Sequence, residues 1–157
     1  MDDHRALYLG LLTRPHQTRE RRLATRVTVE VRGQGLQDIT DAVRAEVRDA
    51  GIDDGVCHLF IQHTSASLLV QENYDPSARH DLEQWLNRLV PENDPIYTHT
   101  AEGPDDMPAH IKASLTATSL SIPVMGGKLA LGTWQGIYLW EHRHHQGRRN
   151  VICHLSP

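Results

Sequence analysis

The chain has 157 residues, a formal net charge of −4 with its histidines counted neutral, 39% hydrophobic residues and 23% charged ones. That size and apolar content suit one globular domain with its own core. A mildly acidic chain with interspersed charges argues against a nucleic-acid or anionic-membrane binder, and the short basic runs at Arg19, Arg21, Arg22 and at Arg148, Arg149 read as solvated surface.

Residues 1–22 are charged, irregular and broken at Pro15, so they read as an extension outside the core. Their apolar run, Ala6 to Leu12, has acidic residues ahead of it and is too short to span a bilayer, which makes it neither a signal peptide nor a membrane helix. Cys57 and Cys153 lie in apolar alternating segments without metal-type spacing, and they read as buried thiols in a reducing compartment. The expected location is the cytoplasm.

From residue 23 onward the pattern is that of a single domain. Val27, Val29 and Val31 alternate with polar residues as in a half-buried strand, and Gly33 and Gly35 turn the chain. Leu36, Ile39, Val43, Val47 and Ala50 recur at three- and four-residue steps, predicting an amphipathic helix that Gly51 stops. Val56–His63 and Ser67–Glu72 read as strands joined by a bend at Thr64 to Ala66, with Cys57, Leu59, Ile61 and His63 on one face. Asp75-Pro76 opens a second helix, the aspartate as cap rather than base, with Ala78, Leu82, Trp85, Leu86 and Leu89 as its buried stripe.

Residues 91–107 form a long acidic loop without periodicity, the kind of segment that in a compact domain carries function or disorder. Pro108 predicts the first turn of a short helix with His110 and Ser114 on one face and Lys112 on another. The runs 120–124, 128–134, 137–142 and 150–155, separated by glycine-bearing turns, predict an antiparallel meander. Trp134, Tyr138 and Trp140 read as core or interface residues, Gly132 and Gly136 as backbone pivots, Glu141 with Arg143 as a structural ion pair, and His144 and His145 as surface.

Three histidines stand in chemically crowded stretches: His63 in HTSAS, His99 in the acidic loop, and His110 at the helix start. Three imidazoles with an open fourth position suit zinc, whereas magnesium prefers oxygen ligands. Thr64, Ser65, Lys112, Ser114, Thr133, Gln135 and Arg143 are candidate phosphate contacts, and Glu72 and Glu102 candidate bases.

Four stretches in order, His63 to Ser67, Glu72 to Pro76, Glu102 to Lys112, and Gly132 to Ile137 with Glu141 to Arg143, resemble the successive signatures of the YjbQ family over roughly residues 25–155. The resemblance implies an α+β domain, a mixed, largely antiparallel β-sandwich with a few helices, assembling as a homotrimer. It also implies a weak thiamine-phosphate synthase activity, a transferase joining an aminopyrimidine diphosphate to a thiazole phosphate with the help of magnesium. A chain of this length cannot be the (β/α)₈ barrel of dedicated synthases, which needs about 250 residues, and three histidines fit zinc-assisted hydrolysis better than diphosphate expulsion. Three readings therefore stand: the transferase, a metal-dependent hydrolase of a small phosphorylated or acylated molecule, and a non-catalytic trimeric binding protein.

Overall fold

The computed structural model describes residues 23–157; the expected extension at 1–22 lies outside the described residues. In chain order the elements are β1 (Ala24–Val31), β2 (Gly35–Asp38), α1 (Thr40–Ala50), β3 (Gly55–Ile61), β4 (Ala66–Glu72), α2 (Pro76–Leu89), α3 (Asp106–Leu115), β5 (Ser119–Met125), β6 (Lys128–Leu129), β7 (Gln135–Glu141) and β8 (Gly147–Ser156). The fold is α+β. Its strands make two antiparallel sheets, ordered β1-β8-β3-β5-β6 and β2-β7-β4.

One core joins the sheets and α1. Cys57, Leu59 and Ile61 of β3, Val151, Cys153 and Leu155 of β8, Leu68 of β4, Ile137 and Leu139 of β7, and Val43 and Val47 of α1 share a single buried cluster. The opposite face of the smaller sheet carries a second cluster, in which Leu36, Tyr138 and Trp140 meet Leu86 of α2. β7 is therefore covered on both faces, and every residue from Gly136 to Glu141 is buried. Cys57 and Cys153 are buried free thiols with sulfurs 3.7 Å apart. Mutual contact and burial push the Cys57 thiol up.

Several elements differ from the sequence-based expectation. The first helix begins at Thr40 instead of near Leu36, because Leu36 belongs to the four-residue strand β2, paired to β7, and Asp38 Oδ1 accepts the Thr40 N–H at the helix start. Gly51 ends that helix in the left-handed region as expected, at φ 61°. Asp75 caps α2 by accepting from the Ser77 N–H at 2.8 Å, but the apolar stripe of that helix is only partly covered: Leu86 is buried while Trp85 and Leu89 are 53% and 54% exposed. α3 starts at Asp106, two residues before Pro108.

The expected meander is not formed. β7 leaves the sheet of β5 and β6 and inserts between β2 and β4, while β8 returns to the first sheet between β1 and β3. Pairing with neighbours more than sixty residues away, Ala66 with Glu141 for example, buries both faces of β7, which a local hairpin could not do. The consequence for function is positional. The β3–β4 bend, the end of β7 and the start of β8 meet at one end of the sandwich, joined by bonds from the His142 N–H to the Ser65 carbonyl and from the Gln62 N–H to the Asn150 carbonyl.

Candidate metal centre and its cavity

At that end a cavity of about 600 Å³ opens between the β3–β4 bend, the acidic loop, α3 and the β7–β8 turn. Its walls include His63, Thr64, Ser65, Glu102, His110 and Arg143 from the sequence-based set, together with Asp105, Asp106, His144, His145 and Arg149. Every lining side chain is polar or charged.

The ligating group is built on α3. Asp106 and His110 are four residues apart and so project from the same helical face, and His99 reaches in from the loop. Nε2 of His99 lies 2.7 Å and Nε2 of His110 3.3 Å from the same atom, Oδ2 of Asp106. The three ligand atoms fall within 4.8 Å of one another. Zinc held tetrahedrally at 2.0–2.1 Å would separate them by about 3.3 Å, the separation His110 and Asp106 already have, while the half-exposed His99 stands closer to Asp106 than that.

Hydrogen bonding beyond the ligands fixes their chemistry. The Thr64 carbonyl accepts from Nδ1 of His110 at 3.1 Å, so Nδ1 carries the hydrogen and Nε2 is the nitrogen left for a metal. Asp106, only 1% exposed, has its other oxygen, Oδ1, held by Arg143 Nη1 at 2.7 Å. His63 is different. The Ser65 N–H donates to its Nδ1 at 3.0 Å, which places the ring hydrogen on Nε2. The side chains whose ligand atoms converge are His99, Asp106 and His110, so Asp106 stands in the third place that the sequence reading gave to His63. Burial, then the Arg149 charge, lowers the pKa of His63 and favours this neutral donor form.

Arg143 is fully engaged with the acidic loop. Besides Asp106 it donates to Asp105 Oδ1 at 3.1 Å, to Asp105 Oδ2 at 3.3 Å and to the Glu102 carbonyl at 2.6 Å. These bonds, that to Asp105 foremost, raise the pKa of Arg143. Burial alone would raise that of Asp105, but its bonds from Arg143 and from the His144 N–H hold it below the usual carboxylate range. The expected Glu141–Arg143 ion pair is not made: Glu141 Oε1 accepts only the Arg143 backbone N–H, and its ion pair is with Arg149, Oε2 to Nε at 2.6 Å.

The remaining expected residues lie elsewhere. Lys112 is buried and does not line the cavity, its Nζ 2.7 Å from Asn87 Oδ1 of α2, and burial lowers its pKa. Ser114 is exposed and donates back to the His110 carbonyl. Glu72 pairs with Gln135 at the far end of the β4–β7 ladder, about 20 Å from Ala66 by strand rise. Thr133 is exposed beside it, next to Trp134, which meets Tyr74 edge-on at 4.5 Å. His144 and His145, expected as plain surface, line the cavity. Asp106 and Arg149 were the residues missed. The four-residue step from Asp106 to His110 was a readable signal, and so was Arg149's place on the odd-numbered face of β8 with Val151, Cys153 and Leu155, all buried.

The family model described as "UPF0047 protein YjbQ-like" matches residues 25–157. The chain belongs to the UPF0047/YjbQ family. A UPF0047 protein of Synechocystis is 46% identical over 130 residues, covering 83% of this chain and 88% of that one. The UPF0047 protein YjbQ of Escherichia coli O157:H7 is 46% identical over 131 residues, covering 83% and 94%. Among solved structures, an uncharacterized conserved YjbQ/UPF0047-family protein of Clostridium acetobutylicum superposes with a TM-score of 0.78 at 34% identity, covering 84% of this chain and 99% of that chain. A hypothetical protein of Aeropyrum pernix K1 gives 0.77 at 26% identity, covering 85% and 97%. These likenesses establish family and fold.

Proposed function

We propose that this UPF0047/YjbQ-family protein is a metal-dependent hydrolase of a small phosphorylated or acylated molecule. The observation that carries the reading is the convergence of His99 Nε2 and His110 Nε2 on Asp106 Oδ2, with the outer atoms of His110 and Asp106 held by Thr64 and Arg143. Two imidazoles and one carboxylate with an open cavity beside them fit zinc better than magnesium.

A bound divalent ion would polarise the scissile phosphoryl or acyl group and bring a coordinated water's pKa to about 7. Glu102 lines the same cavity with its side chain 65% exposed and its Oε2 3.8 Å from Arg143 Nη1; in this reading it would take the proton as the water oxygen attacks. That proton then passes to the departing oxygen. Asp106 meets both histidines through Oδ2, and Arg143 holds its Oδ1 in place.

The transferase reading has less support. It would seat two heteroaromatic rings, and no Trp, Tyr or Phe lines this cavity, while Glu72, Thr133 and Gln135 stand at the other end of the sheet. Homotrimeric assembly would cover the exposed Trp85 and Leu89 of α2, and sedimentation velocity checks it. Two buried free thiols favour a reducing, cytoplasmic setting; no helix among the described residues is long and apolar enough to cross a membrane.

The test is to strip the protein with chelator, titrate zinc calorimetrically, and assay 4-nitrophenyl phosphate and 4-nitrophenyl acetate with and without the ion. One zinc per chain, metal-dependent turnover, and loss of both in Asp106→Asn support the reading. Absence of metal binding ends it, and condensation of the two thiamine halves with magnesium would replace it with the transferase.

A further inference from the structure

We propose that Arg149 and His63 form a phosphoryl-oxygen subsite on the sheet wall of the cavity, opposite the ligands on α3. The proposal rests on the hydrolase reading for its catalytic meaning and selects between that reading's two substrate classes, in favour of the phosphorylated one.

Arg149 is an unusual arginine for a cavity wall. It is 7% exposed and sits in β8 among apolar residues, yet it lines the cavity. Its Nε is bound to Glu141 Oε2 at 2.6 Å and its Nη1 reaches the Arg148 carbonyl at 3.2 Å. Among the described residues Nη2 has no acceptor. A guanidinium pinned at Nε to a wholly buried carboxylate and at Nη1 to a backbone carbonyl holds Nη2 in a fixed orientation, as a charge-assisted donor for an oxyanion. The rival cation, Arg143, has its donors taken by Asp105, Asp106 and Glu102.

His63 completes the arrangement. With its Nδ1 occupied by the Ser65 N–H, its Nε2–H is a donor without an acceptor among the described residues. It lies close enough for the Arg149 charge to act on it. The Thr64 and Ser65 side chains border the same wall and add hydroxyl donors. The opposite wall carries Asp105, Asp106 and Glu102, so an anion is drawn to the Arg149 side and an ion to the Asp106 side. A tetrahedral phosphoryl group has oxygens enough to address both walls at once; a planar acyl group does not.

Inorganic phosphate is the probe, titrated by calorimetry into chelated and zinc-loaded full chain, with acetate as the contrast. Wild type is expected to bind phosphate in both states, and more tightly with zinc. Arg149→Lys keeps the charge against Glu141 but loses the fork, and should weaken phosphate about tenfold or more in both states. His63→Asn keeps an acceptor for the Ser65 N–H but removes the ring donor, and should weaken it severalfold. If Arg149→Lys does not fold, His63→Asn and the ¹⁵N shift of His63 Nε2 on phosphate addition decide.

Phosphate binding only with zinc and unchanged in both variants would put the anion on the metal alone and overturn the subsite while leaving the hydrolase reading intact. No phosphate binding in either state, or acetate bound as tightly as phosphate, also overturns it. Phosphate bound through Arg149 in a protein that takes up no zinc supports the subsite and removes the hydrolase.

Discussion

Breaking the Glu141–Arg149 pair tests whether the sheet wall of the cavity is built as described. Glu141 is wholly buried and Arg149 has 8% of its side chain exposed, with Nε and Oε2 2.6 Å apart. Removing one partner of such a pair leaves the other charge in a medium that cannot solvate it, at a cost of about 3–5 kcal/mol. Glu141→Gln belongs near the lower figure, since an amide oxygen still accepts the Arg143 N–H that Glu141 Oε1 now accepts. Arg149→Met belongs near the upper one, because the carboxylate keeps only that backbone donor. The double variant strands no charge and leaves one poorly bonded amide, about 1–3 kcal/mol. The singles are therefore expected to lose more in sum than the double does, with a coupling of about 3 kcal/mol or more. Against a typical total of about 5–15 kcal/mol, each single change should lower Tm by about 10–20 °C. Urea unfolding followed by tryptophan fluorescence, with the m-value checked for constancy, measures all four proteins. Singles costing under about 1 kcal/mol, or a double equal to their sum, would refute the idea that a desolvated charge pair holds this wall.

Arg143→Gln should weaken zinc about 10–100-fold without abolishing it, as loss of an outer-sphere anchor does; competition with a chromogenic chelator reads the change. His142 is buried against Ser67 Oγ at 2.9 Å, and burial, then the Lys112 charge, brings its pKa down to about 3 from 6.5. The unfolded chain therefore binds the extra proton first: the stabilisation is fully present above pH 6.5 and drains as pH falls toward 3. Its size is of order 4–5 kcal/mol, and urea midpoints from pH 7 to pH 4 should fall less steeply in His142→Leu than in wild type. Gly136→Ala should cost about 1–3 kcal/mol by crowding, because an added Cβ would stand 2.9 Å from Asn73 Cβ and 3.2 Å from Thr40 Oγ1; thermal unfolding is the measurement.

Local rules read part of this fold well. The valine alternation of β1, the Val43–Val47–Ala50 stripe of α1 with its left-handed Gly51, and the Asp75-Pro76 start of α2 all appear where the residues put them. β2 escaped because four residues next to Gly33 and Gly35 are too few for alternation to show, and Leu36 also fitted the helical spacing that follows. The separation of β7 from β5 and β6 escaped because register between distant strands is a tertiary choice. At the site, His99 and His110 stood out as histidines in polar surroundings. Asp106 was obscured by its acidic neighbours, and Arg149 by the adjacent Arg148, which does lie in solvent with its Nε on Glu30 at 2.6 Å. Periodicity of four on the helix links Asp106 to His110, and periodicity of two on the strand separates Arg149, which lines the cavity, from the exposed Arg148.

The two walls of the cavity differ in how they are assembled from the chain. The ligands on the α3 side, His99, Asp106 and His110, belong to one short contiguous segment, so closing them on an ion carries a small loop entropy. Arg149 and His63 come together only after β3 has paired with β8, an encounter between residues almost ninety positions apart, with Ile61 opposite Val151. The candidate ligands on α3 are thus brought together by local chain, whereas the sheet wall waits on long-range strand pairing.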